Sequence, residues 1–447
     1  MVRTPPGPKG EPVFGSSRRY ARDPFRFVTG LEAAYGGVSR FEMGPLDTYM
    51  VTDPSEIERV LVSESDRFTK PAFQDDALGS LLGQGLLLSE GETWQRQRKL
   101  AQPAFDMRRL SGMADRIVDH TETRLAEWDD GEQINVEEEM TTVTIDVILD
   151  LMMGVELSRQ RLDHVREQLE PLGMRFEPNP VRFALPEWVP MPGDAEFDAA
   201  VDELERVIDE IVTERRAEIR QEDSTDAPMD FLSILVRAQE AGDQTDRQLR
   251  DEMMTMLLAG HDTTALTLTY TWYLLSQHPE VERRLHEEVD AVIDGTRPTV
   301  DDIRDLEYTE WVIKEAMRLY PPVYTIFRQP TEPVEVGGYT VPDTASIMLP
   351  QWAVHRSDRY WDDPETFDPE RWRPERVRER PRFAYFPFGG GPRHCIGKHL
   401  AMLEARSIIA TTASRYRLEF EGETPLELLP TLTAHPRNGM PMRVERR

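Results

Sequence analysis

The chain has 447 residues, of which 39% are hydrophobic and 30% charged, enough for one large domain or three small ones. Its 53 basic side chains face 82 acidic ones, a formal net charge of −29 that argues against nucleic acid or an anionic membrane as the main partner. Only Lys9, Lys70, Lys99, Lys314 and Lys398 are lysines, and the other basic residues are arginines. Such an acid excess suits a halophilic, salt-rich cytoplasm, where screening suppresses self-repulsion.

The N-terminus shows neither the apolar stretch of a signal peptide nor a membrane span of ~20 residues, and no other segment does. A soluble cytoplasmic protein without an integral membrane anchor is expected. Residues 1–24, rich in Pro, Gly and Arg, read as an extended lead-in. Short β patterns follow at 38–43 and 48–52, and Asp53-Pro54 opens a helical pattern to about residue 64. Residues 71–90 are rich in Gly and Leu without clean periodicity, which predicts a loop or short helix over a pocket. Helical patterns resume at 92–128, 137–153 and 158–170.

Six prolines interrupt 171–193, among Phe176, Phe183 and Trp188. That segment reads either as a packed surface connection or as a lid over a substrate entrance. An acidic helix over 195–221 leads through a polar linker to a helical 229–240. No internal repeat is visible. After Pro321-Pro322 the pattern turns to short strands, as in 334–341, and then to a loop-rich stretch ending at the cysteine. Nothing resembles a linker to a second domain, so one domain over 1–447 is expected.

Thr245 and Gln248 form a capping box ahead of a pattern that lasts until Pro279. At 1.5 Å per residue this helix measures ~48 Å. Its middle, Leu257-Leu-Ala-Gly-His-Asp-Thr-Thr-Ala265, breaks several local rules at once. Gly260 costs about 1 kcal/mol against Ala, and Asp262 is expensive in an apolar stretch unless paired or solvated. The functional reading is a local opening of the helix, with a Thr hydroxyl taking a backbone carbonyl and Asp262 relaying protons. The bland reading is a packing contact beside a solvated Asp.

Glu315 and Arg318 share one helix face at i, i+3, and Arg371 in Pro369-Glu-Arg-Trp372 offers a second guanidinium. On a surface this pair would be worth under ~1 kcal/mol. Buried, the three would lock the downstream loop in place.

The single cysteine, Cys395, lies in Phe388-Gly-Gly-Gly-Pro-Arg-His-Cys-Ile-Gly397. It makes no intramolecular disulfide and no multi-thiolate cluster. The glycines let the backbone crowd a flat ligand. Helical sequence follows from Lys398, so the sulfur sits just before a helix N-terminus, which favours an anion. This is the setting of a metal-ligating thiolate.

Together these segments resemble the cytochrome P450 family of haem-thiolate monooxygenases, soluble archaeal or bacterial type. The family's Phe-x-x-Gly-x-Arg-x-Cys-x-Gly is met by Phe388, Gly391, Arg393, Cys395 and Gly397. Ala259, Gly260, Asp262, Thr263 and Thr264 meet its central-helix motif, Glu315 and Arg318 its Glu-x-x-Arg, and Trp94 and Arg98 its Trp-x-x-x-Arg. Pro369, Glu370 and Arg371 meet the Pro-Glu-Arg-Phe element, with Trp372 in place of Phe.

The resemblance implies a mainly α fold with a smaller β region (α+β), the haem lying between the long central helix and the helix after the Cys loop. It implies heme b (iron protoporphyrin IX) with Cys395 as axial iron ligand, and Trp94, Arg98, Arg328, Arg393 and Lys70 at the propionates. Asp262 and Thr263 would serve proton delivery to dioxygen. Leu87, Ala259 and Val323 would line the substrate space, whose apolar character suits a fatty acid, terpenoid or steroid. Electrons from NAD(P)H would arrive only indirectly, since the 52 residues past Cys395 leave no room for a fused reductase. The basic cluster Arg96, Arg98, Lys99, Arg108 and Arg109 reads either as general charge balance with propionate contacts or as a docking patch for an acidic ferredoxin or flavodoxin, and a monomer is expected. A haem-thiolate isomerase, dehydratase or peroxygenase would share the cysteine segment without needing the Asp262–Thr263 pair. A haem sensor is the rival from another class.

Overall fold

In the computed structural model, residues 4–106, 109, 111–155, 157–184, 189–221, 230–295 and 297–447 are described. The architecture is α+β, dominated by helices. The Asp246–Gln277 helix begins at the capping box, in which Gln248 N–H donates to Thr245 Oγ1 at 3.2 Å and Thr245 N–H to Gln248 Oε1 at 3.1 Å. It ends just before Pro279, which opens the next helix. Tyr270 and Trp272 on it are completely buried. The helices Val136–Ile148, Asp194–Gln221, Glu307–Leu319 and Lys398–Ala413 pack around it.

This helix runs through 259–264 without a break, so the local opening anticipated there is absent. Gly260 has a packing role instead. A Cβ on it would come within 2.6 Å of Ile148 Cδ1, so glycine lets the Val136–Ile148 helix approach closely. Thr263 Oγ1 does donate to Ala259 O at 3.2 Å, but Thr267, Thr269 and Thr271 make the same i−4 bond at 2.7–2.8 Å.

A five-stranded sheet stands beside the helices, in the order Val38–Met43, Leu46–Val51, Ser346–Leu349, Ile326–Pro330, Phe68–Thr69. The Leu46–Val51 and Ser346–Leu349 pair is parallel, and its register sets Tyr49 opposite Ile347. The lead-in runs along the sheet edge, where Arg40 N–H donates to Pro6 O at 3.0 Å, and ends in a short helix, Ser17–Arg22. A hairpin of Leu428–Pro430 and Ala434–Pro436 is tied back by Ala434 N–H to Pro322 O at 2.9 Å.

Three segments differ from the sequence patterns. The Gly91–Ala101 helix is separated from Ala114–Leu125 by a 3₁₀ turn, Gln102–Phe105, because Pro103 cannot continue an α ladder. The short helix allowed for within 71–90 forms over Ala72–Leu82. The Arg159–Met174 helix continues past Pro171. Within the proline-rich segment a short helix, Pro180–Ala184, forms, while residues 185–188, including Trp188, lie outside the described residues.

Candidate functional site

The cysteine loop is shaped by glycine. Gly391 has φ +65°, and a Cβ there would sit 1.8 Å from Leu61 O, so no other residue fits. The 3₁₀ turn Gly391–Arg393 then brings Cys395 back until its N–H donates to Phe388 O at 2.9 Å. Gly397 caps the Lys398–Ala413 helix. Burial pushes the Cys395 thiol up, while the N–H groups of Gly397 and Lys398, with the Arg98 charge, favour the thiolate. Although surrounded by protein, Cys395 keeps open surface, so its sulfur faces internal space.

The central helix shows the complementary sign. Ala259 is exposed although Met254, Leu257 and Thr264 on the same helix are buried. A helix at the centre of a protein can expose a residue only toward an interior void. Leu87, 44% exposed, and half-buried Val323 are further apolar groups with open surface.

Three cations gather around one carboxylate, Glu90, and a fourth, Arg98, stands beside Arg393. Lys70 Nζ donates to Ser89 O at 3.2 Å and pairs with Glu90 at 3.0 Å. Arg393 donates to Ser89 O at 2.7 Å, pairs with Glu90 and stacks 4.2 Å over the Trp94 ring. Arg98 donates to His394 O at 3.0 Å. Arg328 donates to Phe327 O at 2.7 Å and lies close enough to Arg393 and Glu90 to feel both charges. Burial, then the Arg393 charge, brings Lys70 down to about 8 and Arg328 down to about 10. Burial likewise lowers Arg98 and Arg393. Such a set is short of anions, and a ligand carrying two carboxylates would relieve it. The Cys395 sulfur opening onto interior space and the anion-hungry cations beside it fit haem b.

The buried lock is closed. Arg318 grips Glu315 through Nε and Nη2 at 3.0 and 2.9 Å and donates to the carbonyls of His355, Pro364 and Thr366 at 2.6–3.1 Å. Arg371 reaches Glu315 at 3.2 Å and Asp363 O at 2.7 Å. Trp372 Nε1–H donates to Glu315 Oε2 at 3.0 Å, a bond that phenylalanine could not make. Its i, i+3 spacing is visible in sequence; the carbonyls it holds, far along the chain, are not.

Asp262 does not stand alone. Thr433 Oγ1 donates to Asp262 Oδ2 at 2.8 Å, and His435 Nε2 lies 3.0 Å from Thr433 Oγ1 and 3.4 Å from Asp262 Oδ1. On its other side His435 Nδ1 lies 2.8 Å from Glu137 Oε1. Sequence gave no signal for these partners, which are 171 and 298 positions from their mates.

The basic cluster on 96–109 is divided. Arg98 turns inward to His394, Arg96 and Lys99 stay exposed, and Arg108 lies outside the described residues. A groove of about 680 Å³ runs along the outer side of the cysteine loop. Arg304, Lys314, Arg382, Lys398 and Arg406 line it, against one acid, Glu310.

No described helix is long and apolar enough to cross a membrane. The cytochrome P450 family profile matches residues 5–441. A cyclooctat-9-en-7-ol 5-monooxygenase of Streptomyces melanosporofaciens is 34% identical, over 92% of this chain and 88% of its own length. Cyclooctatin synthase of the same organism is 32% identical, over 97% and 94%. A crystal structure of the cytochrome P450DA heme domain superposes over 100% of this chain and 98% of that one with a TM-score of 0.87 at 24% identity. With the family profile covering nearly its whole length, this chain belongs to the cytochrome P450 family.

Proposed function

We propose that this haem-thiolate monooxygenase inserts one oxygen atom of dioxygen into a terpenoid-type lipophilic molecule, with Asp262 and Thr263 serving the protons. The observation that carries the reading is the thiol of Cys395 opening onto interior space, with a cation ring short of anions beside it. Haem, when held through Cys395, supplies dioxygen activation and oxygen transfer. The chain's own groups do the rest. The N–H groups of Gly397 and Lys398 steady the sulfur's charge, and Lys70, Arg98, Arg328 and Arg393 hold the carboxylates. Leu87, Ala259 and Val323 offer apolar, uncharged contact, which orients a substrate by shape. The two Streptomyces relatives, by name a cyclooctat-9-en-7-ol 5-monooxygenase and a cyclooctatin synthase, support cyclic terpenoid alcohols as the first substrate class to screen.

Thr263 carries a hydroxyl beside the exposed face of Ala259, and Asp262 follows it toward the hairpin. Thr263→Ala is expected to keep the optical spectrum while product formed per reductant falls about tenfold and peroxide rises, as befits loss of a proton-handling group. Unchanged coupling would remove Thr263 from the path. A peroxygenase would instead turn over with peroxide as well in the variant as with reductant in the parent.

The electron donor proposed is an acidic ferredoxin or flavodoxin seated over the groove beside the cysteine loop. Five cations against one acid, in a chain of net charge −29, support it. The double variant Arg304→Glu and Arg382→Glu changes two exposed groove residues. Its reduction by such a donor is expected to slow about tenfold at low salt, with a weaker salt dependence than the parent. An unaltered rate would move the docking surface elsewhere.

A further inference from the structure

We infer that His435, held between Glu137 and Thr433, is the outer proton donor that recharges Asp262. The inference rests on the reading of Asp262 as the acid of the site. Three elements meet here: the start of the Val136–Ile148 helix, the middle of the central helix and the Ala434–Pro436 strand. Each supplies one titratable side chain to a continuous hydrogen-bonded line from Glu137 through His435 and Thr433 to Asp262, with no link longer than 3.0 Å.

The line has a direction. Glu137 accepts from His435 Nδ1–H, which leaves Nε2–H of the cation to face the Thr433 hydroxyl. Thr433 in turn donates to Asp262 Oδ2. Transfer then moves one proton: the imidazolium gives its Nε2 proton to Thr433 Oγ1 as Thr433 passes its own to Asp262. The neutral imidazole keeps Nδ1–H and takes a replacement proton from water. His435 is partly exposed, open enough for that exchange, and Asp262 is exposed to a similar degree.

The surroundings favour the cation. Burial lowers the His435 pKa, but the charge of Asp262 and the bond and charge of Glu137 outweigh it, so the net shift is upward. The other titratable groups nearby do not compete. His261 is buried, lowered by that burial, and turned to Leu257 O, while Tyr270 donates to Ala434 O. Burial raises Glu137, the bond and charge of His435 work against that rise, and the charges of Asp262 and Glu138 add to it.

The test compares Asp262→Asn, His435→Phe, His435→Lys and Glu137→Gln in the holoenzyme with reductant and a turned-over substrate. His435→Phe is expected to lower product per reductant severalfold, raise the solvent deuterium isotope effect, and shift the pH profile in the direction Asp262→Asn does. His435→Lys, which restores a cationic donor, is expected to recover part of the loss. An independent reading comes from nuclear magnetic resonance of the reduced, carbon monoxide-bound protein. There His435 should titrate above an ordinary imidazole, and Glu137→Gln should bring it down. If Asp262→Asn uncouples and His435→Phe behaves as the parent in isotope effect and pH profile, the inference is overturned and the Asp262 reading stands. If Asp262→Asn has no effect, both fall. A His435 that titrates at or below the ordinary value also overturns the inference.

Discussion

Arg318→Leu is expected to leave little folded holoprotein. Arg318 is completely buried, and its guanidinium serves Glu315 and three carbonyls from separate turns of the 355–366 segment. Removing it leaves Glu315 at 0% exposure with Arg371 as its remaining cation, and strips donors from those carbonyls. Breaking a buried pair on one side costs about 3–5 kcal/mol, against about 5–15 kcal/mol of total stability. Arg318→Lys should recover little, because a point charge cannot bridge a carboxylate bidentately and reach three carbonyls. Trp372→Phe is the graded companion. It deletes one donor to Glu315 and should cost about 1–3 kcal/mol while the protein still folds. Thermal unfolding and haem content of the purified variants check both. A parental melting point for Arg318→Leu would mean that the lock contributes nothing.

Cys395→Ser is expected to show the opposite profile: intact fold, lost chemistry. The side chain opens onto interior space, so serine forfeits no packing, and the backbone bond from residue 395 to Phe388 O persists. The alcohol, however, is not ionised where a thiol can be, and it donates far less charge. Turnover should drop by at least about a hundredfold, the loss typical of removing one strong electrostatic contribution at a reacting centre. Circular dichroism and reductant-driven turnover separate the two effects. Retained turnover would take Cys395 out of the chemistry.

Local signals were the legible part. The Thr245–Gln248 box and Pro279 bound the central helix because caps and proline act within a few residues. The Gly391 requirement could be suspected from its motif, but its cause, the Leu61 carbonyl 330 positions upstream, belongs to tertiary structure. Gly260 shows the limit more sharply. Its local cost suggested a distorted helix, whereas the structure spends it on contact with Ile148. Periodicity also overran Pro103, where apolar spacing continues although the helix does not. Asp262 was conspicuous as a carboxylate in an apolar stretch. Its partners on a distant hairpin and at another helix's first turn were not, because hydrogen bonds between remote segments leave no spacing rule. The arginine at 98 stood among basic neighbours yet turns toward His394, since one side chain's direction depends on what it meets.

The most direct test of the account is the difference spectrum of the purified, dithionite-reduced protein with carbon monoxide. A thiolate from Cys395 as the axial ligand predicts the strongly red-shifted band peculiar to thiolate-ligated haem, lost in Cys395→Ser. A band at the shorter wavelength of histidine-ligated haem in the fresh, folded parent, or no haem at all, would contradict it.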